Sequence, residues 1–107
     1  MENEYHTLRN QADEIFKLID RKCYDHAEKS IGILDLKFMD HTSYVSELSR
    51  ILEAMKDGIQ ATDYINQRKK EYLEKKKQLP SIELQQEFWD TLTDFEMHIV
   101  KPKLIFK

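Results

Sequence analysis

The sequence predicts an all-α fold: an antiparallel bundle of three helices, two long (about residues 4–39 and 43–78) and one shorter (about 81–100), forming one domain over residues 1–107. Three observations predict it. Charged residues make up 35% of the chain while glycine and proline number two each, a balance that suits helices with solvated faces and not a turn-rich β protein. Apolar residues recur every three or four positions along most of the length. The length, 107 residues, is enough for one modest core and too short for two.

The first helix is carried by Tyr5, Leu8, Ala12, Ile15 and Ile19, and Cys23, Ala27, Ile31, Leu34 and Phe38 extend its stripe with a drift in phase. Within residues 30–40, Leu34, Leu36 and Phe38 alternate with Asp35 and Lys37 as a strand would. A lone strand has nothing here to pair with, so the stretch reads as helix, with Gly32 the candidate position for a kink. Asp40 to Thr42 are turn and cap formers that open a second helix. Tyr44, Leu48, Ile51, Leu52, Met55, Ile59, Thr62 and Ile65 hold one phase straight through Asp57 and Gly58, which predicts an unbroken helix. Leu79-Pro80-Ser81 breaks it, because the residue before a proline is pushed away from helical dihedrals and serine caps the next helix. Leu84, Phe88, Leu92, Phe95 and Ile99 define the third helix, which ends by Pro102. At 1.5 Å per residue the long helices would reach about 50 Å and the third about 30 Å, leaving part of the hairpin uncovered.

Composition also excludes functions. Acidic residues near the N-terminus stand where a secretory signal needs positive charge, and no apolar run is long enough for a membrane span, so a cytoplasmic protein is expected. Cys23 is the only cysteine, which rules out an intramolecular disulfide and suits a reducing compartment. None of His6, His26, His41 and His98 has a glutamate three residues before it, so the paired motif of a helical di-metal site is absent. Cys23 and His26 alone do not make a closed zinc site. The two glycines are isolated, so no glycine-rich phosphate loop exists. No metal, cofactor or small-molecule substrate is expected, and no catalytic residue is assigned.

Two stretches stand apart. The segment "DHAEKSIG", residues 25–32, resembles the histidine phosphotransfer domains, helical bundles in which an exposed histidine is followed three residues later by a lysine and then by small residues. His26 and Lys29 match, Ser30 replaces the usual glycine, and the resemblance implies a phosphorylatable His26. The size is also similar to that of small secreted helical hairpins of the WXG type, but the turn near Asp40 has no Trp-x-Gly and Trp89 is followed by Asp90 and Thr91.

The second stretch is basic. Arg68, Lys69, Lys70, Lys75, Lys76 and Lys77 give residues 66–81 a local charge of +4 in a chain of net charge -3. Nucleic acid would be attracted by such a patch. The acidic remainder, the spread of these residues around the helix, and the complement of lysines to a helix C-terminus favour a solvated helix end instead. The leading expectation is a non-enzymatic interaction module, a small subunit, adaptor or chaperone-like factor that binds another helical chain or itself as a dimer or coiled coil. Its candidate contact residues are Tyr72, Leu73, Phe88, Trp89, Leu104, Ile105 and Phe106, with Trp89 as an anchor because an exposed indole buries much area at little entropic cost. The alternatives are a phosphotransfer-like signalling domain using His26 and a nucleic-acid-associated factor using the basic end.

Overall fold

A computed structural model describes residues 3–75 and 82–102, with the side chains of all but residues 75 and 82–85. The expected break at Leu79-Pro80-Ser81, Lys76 and Lys77, and the apolar Leu104, Ile105 and Phe106 lie outside the described residues. Among the described residues the chain is all-helical, but it holds five α-helices and not three: α1 (Glu4–Asp20), α2 (Tyr24–Lys37), α3 (Thr42–Lys56), α4 (Ala61–Lys75) and α5 (Ile82–Phe95). A 3-10 turn, Met39–His41, joins α2 to α3, and a π turn, Glu96–Val100, prolongs α5.

Each of the two long helices expected over 4–39 and 43–78 is broken in its middle by the same device. After α1, Lys22 takes a left-handed conformation at φ 62°. Its N–H donates to the Ile19 carbonyl over 3.0 Å, and the Cys23 N–H to the Leu18 carbonyl over 2.9 Å. After α3, Gly58 is left-handed at φ 83°. Its N–H donates to the Met55 carbonyl and the Ile59 N–H to the Ala54 carbonyl, both over 3.1 Å. Both are Schellman turns, in which a left-handed residue folds the chain back so that the last carbonyls of the helix find donors. Gly58 therefore stops a helix and does not sit inside one, and the matching apolar phase on its two sides is coincidental. Gly32, the expected kink, lies inside an uninterrupted α2.

The breaks make the molecule short. Its longest extent is 37 Å, so no helix of about 50 Å is present and the overhanging hairpin does not exist. Instead α3 packs against α2, α4 and α5, and α1 packs against α2 and α5. The shared core contains Leu8, Phe16, Tyr44, Leu48, Ile51, Leu92 and Phe95. The stripe that predicts α1 is the stripe α1 buries: Leu8, Ala12, Ile15, Phe16 and Ile19. Leu34 and Phe38 are likewise buried, while Leu36 points out, as a helix and not a strand demands for positions two apart. At the end of α5 the Lys101 N–H reaches the Glu96 carbonyl, a bond across five residues. Pro102 has no N–H and its ring would press on the carbonyl four residues back, so the wider π turn relieves a crowded helix.

The two glycines give a test with opposite signs. Nothing lies within 4 Å of a Cβ added at Gly32, inside a helix, so Gly32→Ala should stabilise the chain by up to about 1 kcal/mol in urea unfolding. Gly58→Ala, with equal space but a left-handed backbone, should destabilise it by about 1–2 kcal/mol.

Candidate functional site

Two polar networks run through the packed helices. The first is centred on Glu47 of α3, whose side chain is fully buried. Arg68 of α4 reaches it with two bonds, Nη2 to Oε1 at 2.8 Å and Nε to Oε2 at 3.2 Å. The hydroxyls of Tyr64 and Tyr72, also on α4, donate to the same carboxylate. Arg68 further pairs with Glu71 and lies over the Tyr72 ring, 4.7 Å from its centroid. Spacings of four place Tyr64, Arg68 and Tyr72 on one face of α4, the face turned to Glu47.

The second network gathers on α5. Glu87, Asp90 and Asp94, at spacings of three and four, form an acidic stripe beside the apolar one. Arg9 of α1 holds Asp94 through Nη2 and Nε at 2.6 and 2.8 Å, and Tyr44 of α3 donates to Asp94 at 2.7 Å. The Tyr5 hydroxyl donates to Asp90 at 2.6 Å. His41 meets Glu87 Oε2 at 2.7 Å, while the other oxygen of Glu87 is buried without a partner among the described residues. Burial, then the adjoining carboxylate, pushes the pKa of all four phenols well above the ordinary value and so keeps them protonated: Tyr5 beside Asp90, Tyr44 beside Asp94, and Tyr64 and Tyr72 beside Glu47.

These networks change the meaning of the basic stretch. Arg68 is turned inward onto Glu47, and Lys69 lies 3.5 Å from Glu96 and over the Trp89 ring at 5.3 Å. Lys70 is exposed, and Lys75 ends α4. Of the candidate contact residues, Tyr72, Leu73, Phe88 and Trp89 lie at the seam of α4 and α5. Tyr72 stacks on Phe88 with centroids 5.2 Å apart, Trp89 is half-buried under the Lys69 ammonium, and Leu73 is exposed. His26 and Lys29 are both exposed on α2, and Cys23 is half-buried before its first turn.

Among the described residues, the most apolar exposed face was not among the candidate residues. Ile33 and Leu36 on α2 are 63% and 76% exposed, and Met39 in the following turn is 70% exposed. The signal was present in the alternation of Leu34, Leu36 and Phe38. In a helix 34 and 38 share a side, and 36 must then face away. On one flank of α2 an apolar groove of about 280 Å³ lies against α1, walled by Ile33 and floored by Ile15 and Leu34. On the other flank a groove of about 360 Å³ lies against α3.

Among the described residues no three His, Cys, Asp or Glu side chains converge as metal ligands would, and no helix is long and apolar enough to cross a membrane. No protein-family model, curated protein or solved structure matches the chain.

The raised phenols predict an alkaline limit to stability. A phenol kept protonated in the fold but ionising near pH 10 in the unfolded chain favours folding fully below about pH 10, and its contribution is lost as pH rises further. Urea unfolding at rising pH should show stability falling above about pH 10, with tyrosinate absorbance growing as the fold is lost. Stability that stays level while phenolate appears in the native state would contradict the assignment.

Proposed function

We propose that the protein is a non-enzymatic helical interaction module of the cytoplasm, a small subunit, adaptor or chaperone-like factor that binds another helical chain through the outward face of α2. One observation carries this reading: Ile33 and Leu36, large apolar side chains three apart on α2, and Met39 in the turn that follows all stand in solvent. Single exposed apolar residues are ordinary, but a grouped set on one helix face is what helix-in-groove and helix-on-helix recognition uses. The seam of Tyr72, Leu73, Phe88 and Trp89 is a second, smaller face, since Tyr72 and Phe88 already cover one another and Leu73 is its exposed member. The basic end supports nucleic-acid binding weakly, because the charges of Arg68 and Lys69 face Glu47, Glu71 and Glu96.

Leu36→Asp tests the reading, because the substituted side chain lies in solvent. Its effect on unfolding should stay within about 0.5 kcal/mol. The same substitution should strip the partner from the protein when it is captured from its own cells, with the native mass falling to that of the single chain. Leu73→Asp should have the lesser effect. A native complex of unchanged mass in Leu36→Asp would remove α2 from the account.

A further inference from the structure

We propose that the partner presents a basic amphipathic helix, and that it lies along α2 with its apolar stripe on Ile33 and Leu36 and its cationic flank over the groove between α2 and α3. This rests on the interaction reading above and adds the partner's chemistry. The groove is floored by Ile31, Val45 and Leu52. Gly32, Ser46 and Ser49 keep it shallow-walled, and a Cβ at Gly32 would meet open space, so a foreign backbone can come close there. Glu28 and Asp35 of α2 and Glu53 of α3 also line it, and no basic side chain does so among the described residues. Glu28 and Asp35 are exposed, and the partner of Glu53 is Lys56, 3.8 Å away on the surface.

Apolar contact decides where a helix would lie, and the charge of the rim decides which helix. A cleft bordered by one sign of charge attracts the opposite sign and repels its own. Lysine and arginine also suit the geometry, since their stems cover apolar surface while their heads reach a rim. The same rim disfavours a second copy of this chain. In an antiparallel two-fold pairing of α2 with itself, each flank meets the identical flank, which would set Glu28 and Asp35 of one chain against those of the other.

The test uses the full chain and two synthetic helical peptides of about 18 residues, long enough to hold helix in contact. One carries leucines at i, i+3, i+4 and i+7 with lysines on the flanks, and in its counterpart every lysine is glutamate. In fluorescence anisotropy titrations the lysine peptide should bind at least about tenfold more tightly, with an affinity that falls as salt rises. Leu36→Asp should abolish that binding. In the variant combining Glu28→Lys, Asp35→Lys and Glu53→Lys, all on exposed positions, the order of the two peptides should reverse. Equal binding of both peptides through Leu36, or a preference unchanged by the charge reversal, overturns the partner chemistry while the α2 face stands. Concentration-dependent self-association that Leu36→Asp abolishes overturns it in favour of a second copy. Binding of neither peptide, with native assembly indifferent to Leu36→Asp, overturns both readings.

Discussion

Glu47 is a carboxylate with no access to solvent, and the placement of α4 depends on it. An isolated buried charge is strongly unfavourable, and breaking a buried pair by removing one partner costs about 3–5 kcal/mol. Glu47 therefore requires Arg68 and the hydroxyls of Tyr64 and Tyr72, and all three groups come from α4. The helix they come from has little else to hold it. Among its described residues Tyr64 and Ile65 are buried, and Ala61 and Tyr72 are partly covered. Once Tyr72 is fixed by the carboxylate, its ring is presented to Phe88, and Lys69 falls over Trp89 and beside Glu96. The α4–α5 seam follows from the satisfaction of one buried charge.

The network on α5 does the corresponding work at the opposite end of the sequence. Arg9 and Tyr5 tie α1 to Asp94 and Asp90, and Tyr44 ties α3 to the same Asp94. Apolar packing tolerates sliding and rotation, whereas hydrogen-bonded side chains of fixed reach do not, so these contacts set the register in which Phe16 meets Phe95. The unpartnered oxygen of Glu87 is the one buried exception among the described residues.

Helix content, the inward faces of α1, α3 and α5, and the turn near Asp40 were legible from periodicity, because a 3.6-residue repeat depends only on neighbouring positions. The breaks were harder. The drift in phase after Ile19 marked the first, but Lys22 carries no sign that it will adopt a left-handed backbone. Gly58 did carry such a sign, and it was outweighed by Ile59 and Thr62, which continue the stripe in sequence and are exposed in the fold. The networks were illegible for a different reason. Nothing near Arg68 announces a carboxylate twenty-one residues away, nor does anything near Asp94 announce Arg9 eighty-five residues away. Arg68 and Lys69 were thus read as part of a solvated basic helix end, and Leu36 was read only as one of a run of apolar residues in a helix.

The consequence for function is an exchange of surfaces. Arg68, which looks available in the sequence, is held by buried Glu47, Lys69 is paired with Glu96, and Ile33 and Leu36 are held out by the geometry of α2. The first of these depends on α4 being anchored by Glu47. Native-state hydrogen exchange on Glu47→Gln tests that anchor most directly, since the substitution keeps the shape and removes the charge. The amides of α4 should lose protection while those of α1 and α3 keep theirs. Protection of α4 equal to that in the unsubstituted protein would contradict the account.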